Sequence, residues 1–310
     1  MKYVEKKGLN ISAFTLGTVQ LGMNYGIAND SGKPSLEKSF SILKEAVEGG
    51  ITSLDTARAY GNSEEVIGAF LKESGKKDLC ITTKIPRFKG EGSLESYVVE
   101  SVEGSLERLG IEKLSSVMLH AAGDLFEYGG RIVSALEELV KRGYAEKVGV
   151  SVYGADEIDE LLKYDALQVT QIPMSIFDQR LIACGALDRL AKRGVEVYVR
   201  SVFLQGLFFL DPDMVTDPIL QKEAVPYIRS LRRIAGREGM TLAQLAVGFM
   251  RDLEGVTSLV LGADAPEHVR QNLSYFSTPS LSERTMAELK KEFAEVDVPE
   301  IMKVLSRPKA

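Results

Sequence analysis

The chain has 310 residues, of which 45% are apolar and 26% charged, and its net charge is −6. That is the composition of a globular protein with a sizeable core, and the negative balance offers nucleic acid or an anionic membrane surface no attraction. Its two cysteines, Cys80 and Cys184, lack a CxxC spacing, and its two histidines are His120 and His268, so a disulfide framework and a histidine-rich metal site are both excluded.

The N-terminal residues lack the apolar stretch of a signal peptide, and no run approaches the roughly 20 apolar residues of a membrane span. The expected location is the cytoplasm. Residues 3–5 and 10–13 read as a small hairpin turning at Lys7-Gly8-Leu9. A strand at 14–16 then runs into a glycine-punctuated loop, Gly17-Thr18-Val19-Gln20-Leu21-Gly22, and a polar stretch from 23 to 34. Ser35 can cap a helix reaching about residue 48, with Phe40, Leu43, Ala46 and Val47 at helical spacing.

From there, short apolar strands alternate with amphipathic helices. Strands are expected at 51–54, 79–83, 115–119, 145–150, 166–170, 196–200 and 257–261, which with 14–16 makes eight. Helices are expected near 63–73, 94–109, 131–142, 155–163, 180–192, 242–251 and 266–275. Leu242, Leu245, Ala246 and Phe249 form a core-facing stripe. The connection 203–237 after the seventh strand is long, with a helix near 219–235, and suits a lid or ligand clamp. A last helix is expected near 282–295, before a short basic end. Strands buried on both faces and separated by helices imply parallel pairing. Eight such units predict a single-domain (β/α)8 TIM barrel spanning 1–310, with a small N-terminal β-hairpin; an open doubly wound sheet is the alternative.

In such a fold, chemistry sits at the carboxyl ends of strands. Asp55 closes the second barrel strand, and Tyr60 follows on its loop in Asp55-Thr-Ala-Arg-Ala-Tyr60-Gly-Asn-Ser-Glu. Lys84 closes the third strand and His120 the fourth. Singly, a strand-end Asp is a common helix cap and a Lys a common solvated charge. Together the four combine an acid, a cation that lowers its pKa, a carboxylate that holds the cation, and an imidazole that can bind the reacting oxygen. This set protonates an oxygen as negative charge builds on it, as carbonyl reduction requires.

These residues, in this order, resemble the aldo-keto reductase family over nearly the whole chain. Further matching pieces are Gly149-Val-Ser151, Gln171-Ile-Pro173, Arg200-Ser201-Val-Phe-Leu204-Gln-Gly206, Leu261-Gly262 and Gln271-Asn272. The resemblance implies a barrel that binds NADP(H) or NAD(H) in extended form and passes hydride to a carbonyl carbon. It implies catalytic roles for Asp55, Tyr60, Lys84 and His120. It places Ser151 and Gln171 on the nicotinamide carboxamide, with Ser201, Leu204 and Gly206 around the pyrophosphate. Asp55 makes a further contact to the cofactor, and Gln271 and Asn272 reach its adenosine end. Arg200 stands where some relatives stack an aromatic ring on the nicotinamide. Gly262 is expected to line the same site, and Gly17-Thr18 either lines it too or is only a strand-to-loop turn. Two departures stand out. Val152 follows Ser151 where many relatives have Asn, and Asp264 lies where many carry a base for the 2′-phosphate of NADPH.

Met23, Asn24 and Tyr25 should border the mouth, Phe203, Phe208 and Phe209 should pack within their loop, and His268 should be a solvated or capping residue. The expected partner is a small carbonyl or sugar substrate, with neither nucleic acid nor membrane. A cofactor-sensing module on the same scaffold is the alternative of a different class, and a lyase or isomerase on a generic barrel a third.

Overall fold

The computed structural model describes residues 2–6, 9–26 and 32–306. The hairpin turn Lys7-Gly8, part of the polar stretch (27–31) and the basic end (307–310) lie outside the described residues. Strands β1 (Tyr3–Lys6) and β2 (Leu9–Ser12) pair antiparallel as the hairpin. Eight more follow: β3 (Phe14–Gly17), β4 (Ser53–Asp55), β5 (Cys80–Ile85), β6 (Leu114–Leu119), β7 (Ala145–Ser151), β8 (Leu167–Pro173), β9 (Glu196–Arg200) and β10 (Ser258–Gly262). They form one closed parallel barrel in the order β10-β3-β4-β5-β6-β7-β8-β9. Closure by β10 onto β3, with Leu259 opposite Phe14 and Gly262 opposite Gly17, rules out the open sheet.

The helices form where caps and apolar spacing agree. The Ser35 side chain accepts from Lys38 N at the start of Leu36–Glu48, and Ile42, Leu43 and Ala46 of that helix are buried. Ser93 caps Leu94–Leu109, which ends on left-handed Gly110. Thr241 and Gln244 make a reciprocal capping box for Leu242–Arg251, whose Leu245, Ala246 and Phe249 press on the barrel.

Several expected boundaries shift for local reasons. The helix expected at 219–235 divides into Pro218–Glu223 and Val225–Arg237, because Pro226 has no amide to donate and its ring crowds the preceding turn. The one expected at 180–192 divides at left-handed Gly185. The 17–22 loop contains a helical turn, Val19–Gly22. Short helices at Gly123–Tyr128 and Val298–Leu305 were not anticipated; the latter buries Val298, Ile301 and Leu305 and packs on Pro218–Glu223.

The inside of the barrel is unusually polar. Thr15 hydrogen-bonds Ser53 at 2.6 Å and Ser258 at 2.7 Å, and Thr82 bonds Ser116 at 2.6 Å. Lys147 and Glu196 form a buried ion pair at 2.6 Å. Side chains two apart on a strand share a face. Following the inward rows to the carboxyl ends therefore leads from Thr15 to Gly17, Ser53 to Asp55, Thr82 to Lys84 and Met118 to His120. The other four rows lead from Gly149 to Ser151, Val169 to Gln171, Tyr198 to Arg200 and Val260 to Gly262. Each barrel strand thus carries, on its inward row at or near its carboxyl end, one residue singled out from the sequence.

Candidate active site

Lys84 is 1% exposed and its ammonium is held at three points. It donates to Asp55 Oδ1 at 2.6 Å and to the Thr56 carbonyl at 3.0 Å, and lies 3.4 Å from the Tyr60 hydroxyl. Asp55 is 3% exposed and its Oδ1 also accepts from Gln171 Nε2 at 2.9 Å. One carboxylate oxygen therefore ties β4, β5 and β8 together. The His120 ring meets Tyr60 edge-on, with centroids 5.7 Å apart.

The Tyr60 loop is set by backbone contacts. Its carbonyl accepts from Ser63 N at 3.0 Å, and Gly22 comes so close that a Cβ there would sit 1.7 Å from that same carbonyl oxygen. Only glycine permits this approach, so the turn after β3 acts as a stop for the Tyr60 loop.

Electrostatics alter one expectation. Burial pushes the Tyr60 phenol up, and the opposing pull of Lys84 does not reverse the rise. The lowered phenol pKa expected from a neighbouring ammonium is therefore not found, because closure of the barrel mouth desolvates the phenolate more than one cation compensates. Burial draws Lys84 down, but Asp55 and Tyr60 together outweigh it, so the amine stays charged. Burial, and then Lys84, lower His120 to about 4, which leaves its imidazole neutral at pH 7.

The His120 shift makes stability depend on pH. Its value is about 4 folded against an ordinary 6.5, so between these two the unfolded chain holds the extra proton. Unfolding free energy should then fall as pH drops through this window and level off below it. The expected loss is on the order of 2 kcal/mol after allowing for partial exposure. His120→Asn should flatten this part of the profile in denaturant titrations at pH 7 and pH 4.5. Equal losses in both proteins would contradict the assignment.

A cleft of about 490 Å³ opens beside this cluster. Gly17, Thr18, Asp55, Tyr60, Gln171, Arg200, Ser201 and Gly206 line it, and it continues to Gly262, Asp264, Gln271 and Asn272. Thr18 donates to the Asp55 carbonyl at 2.9 Å, and Asn272 Nδ2 donates to the Gly262 carbonyl at 3.2 Å. Ser151 and Leu204 are buried behind the wall, Ser151 with its hydroxyl 3.4 Å from the Gln171 carbonyl. Tyr25 borders the cleft, whereas Met23 is exposed and Asn24 accepts from Lys33 N at 2.6 Å. Phe208 packs in the core on Phe177, as expected of loop packing, but Phe203 and Phe209 pair at 5.2 Å and face the cleft. His268 also lines it, hydrogen-bonded to Asp264.

Two features suit this cleft to a dinucleotide. Among the described residues, the non-glycine positions with positive φ are Ser201 (64°), Leu204 (46°) and Gln205 (56°), next to Gly206 at 96°. Strain of this kind collects at ligand clamps, and left-handed runs shape anion-binding hollows. Opposite them, a Cβ on Gly262 would lie 2.3 Å from the Gln20 side-chain nitrogen, so glycine leaves the space that Gln20 occupies. Gln20 Oε1 is buried with no hydrogen-bond partner among the described residues, an acceptor suited to a ligand hydroxyl. Gln20 was not singled out from the sequence, although it is the one polar side chain of the turn between Thr18 and Gly22.

The family model for aldo/keto reductases matches residues 13–292. The chain belongs to the aldo/keto reductase family. It is similar to L-glyceraldehyde 3-phosphate reductase of Escherichia coli strain K12, at 26% identity over 95% of this chain and 92% of that protein. It is 28% identical to the NADH-specific methylglyoxal reductase of the same strain, over 93% of this chain and 96% of that one. Among solved structures, the holo form of aldo-keto reductase AKR11C1 from Bacillus halodurans superposes with a TM-score of 0.78, at 23% identity, covering 94% and 96% of the two chains. That likeness shows the barrel fold. As an aldo-keto reductase, the protein is an oxidoreductase of carbonyl compounds that works with a nicotinamide cofactor.

Proposed function

We propose that Tyr60 is the proton donor in reduction of an aldehyde, ketone or sugar carbonyl, and that the cleft from Arg200 to Asn272 holds the cofactor. The observation that carries this reading is the buried Asp55–Lys84 pair 3.4 Å from a cleft-lining phenol. A buried ion pair is poor evidence for stability, so its place at the barrel mouth points to chemistry.

When bound, a reduced nicotinamide supplies the hydride. Tyr60 enters the reaction protonated, because burial raises its pKa, and gives its Oη proton to the carbonyl oxygen as that oxygen gains charge. The Lys84 ammonium stabilises the phenolate left behind, and Asp55 and Gln171 hold Lys84 in line. Neutral His120 donates a hydrogen bond to the same oxygen and fixes its position. Gln171, with Ser151 buried behind it, would hold the carboxamide, and Arg200 would offer the nicotinamide the face of its guanidinium that Tyr153 leaves open. Ser201, Leu204 and Gly206 would hold the pyrophosphate. Gly17, Thr18 and Gly262 line the floor, and Gln271 and Asn272 would hold the adenosine end.

The same cleft favours NAD(H) over NADP(H). Asp264 lines its far end, where it would accept from a free ribose 2′-hydroxyl and repel a 2′-phosphate. The nearby cation, Arg270, is taken up by Glu45 and by Glu267 at 2.7 Å. The relative named as NADH-specific supports this reading. Fluorescence titration should give tighter binding of NADH than of NADPH, and Asp264→Arg should shift that ratio towards NADPH by about tenfold. An unchanged ratio would place the ribose elsewhere.

A further inference from the structure

Among the described residues, Arg200 is the one charged group lining the catalytic half of the cleft whose charge is not answered. Asp55 cancels Lys84, and His120 is neutral. Among the described residues Arg200 makes no ion pair, and the only hydrogen bond of its side chain is a long one, Nη1 to Ser201 Oγ at 3.5 Å. Its Nη2 is buried and has no hydrogen-bond partner among the described residues. Glu157, in the first turn of the helix Ala155–Leu161 that follows β7, is engaged by the Tyr153 amide instead. A buried guanidinium nitrogen left unpaired is costly, so it marks a place a ligand fills.

The direction of the side chain says which ligand. The Arg200 guanidinium lies 4.3 Å over the Tyr153 ring, which follows β7. From β9 it thus leans across β8 towards the half of the mouth holding Tyr60 and His120, and away from β10 and the Asp264 end. Its charge is felt at both Tyr60 and His120. Stacking on a half-exposed tyrosine holds the planar cation in place without neutralising it.

We propose that Arg200 recognises an anionic oxygen group on the substrate, so that the preferred substrates are aldehydes carrying a carboxylate or a phosphate a few bonds from the carbonyl. This rests on carbonyl reduction at Tyr60. The guanidinium edge binds the anion while His120 and Tyr60 hold the carbonyl oxygen. The substrate thereby supplies the missing charge.

The test compares matched substrates that differ in charge: succinic semialdehyde against butanal, and glyceraldehyde 3-phosphate against glyceraldehyde. In at least one pair the anionic member should have a kcat/KM about tenfold or more higher, since a charge-assisted bond to guanidinium is worth at least that. The pair that shows the preference identifies carboxylate or phosphate. Arg200→Gln should bring the ratio close to one and Arg200→Lys should keep most of it. Taking the ratio within each protein cancels any effect of the variant on cofactor binding. A wild-type ratio near one in both pairs, with all aldehydes reduced, overturns the proposal and leaves carbonyl reduction intact. So does a high ratio that survives Arg200→Gln. Should neither member of either pair be reduced, the reading of the site itself fails. If Arg200→Gln does not fold, inhibition of butanal reduction in the wild type decides: succinate or inorganic phosphate should compete with the aldehyde, and absence of competition by both overturns the proposal.

Discussion

Tyr60→Phe should lower kcat for a simple aldehyde by about a thousandfold, within the range for loss of a positioned general acid. The ring stays, its edge-on contact with His120 stays, and only the hydroxyl 3.4 Å from Lys84 is lost. NADH affinity should therefore remain within about threefold, since the role proposed for the phenol is towards the carbonyl and not the dinucleotide. Stability should change little, because the variant also removes a buried hydroxyl held by one long hydrogen bond. The checks are steady-state kinetics, nucleotide titration and thermal unfolding on the same preparation. Turnover equal to the wild type would remove Tyr60 from the chemistry.

Lys84→Met should be the most damaging single change to the molecule. It leaves the Asp55 carboxylate 3% exposed with Gln171 as its remaining side-chain partner. Removing one member of a buried pair costs roughly 3–5 kcal/mol. For a protein of this size that corresponds to a fall in Tm of roughly 5–8 °C. Activity should fall by about a hundredfold or more as well, because the Tyr60 phenolate loses its nearest cation. The double variant Asp55→Asn with Lys84→Met separates the two effects. It removes the stranded charge, so most of the stability should return while activity stays low. A double variant as unstable as the single one would show that Lys84 acts through packing and not through its charge.

Much of this site is legible in the chain because a parallel barrel has a simple rule of address. Asp55, Lys84, His120, Gln171 and Arg200 each lie at or within two residues of the carboxyl end of a strand, and the period of two along each strand sends them inward together. Once eight strands are recognised, their convergence follows without any coordinate. The direction of the Tyr60 pKa was not legible, because it balances one visible cation against a burial that exists only after β4, β5 and β6 close around the phenol. Nor was the pairing of Tyr153 with Arg200, since nothing in Ser151-Val-Tyr153 signals that the ring would lie over a residue 47 positions later. The broken helices after β9 follow from Pro226, a signal present in the sequence but outweighed there by the apolar spacing. Gln20 was missed because its orphaned carbonyl becomes notable only when Gly262 is seen against it.

The central claim is direct hydride transfer to a carbonyl in this cleft. It is tested most directly by reducing 4-nitrobenzaldehyde with NADH carrying deuterium on the transferring face of C4. The expected result is one deuterium on the alcohol carbon for each nucleotide oxidised, with none in the solvent. Nucleotide binding without oxidation, or an alcohol free of label, would contradict it, and binding alone would favour a cofactor sensor on this scaffold.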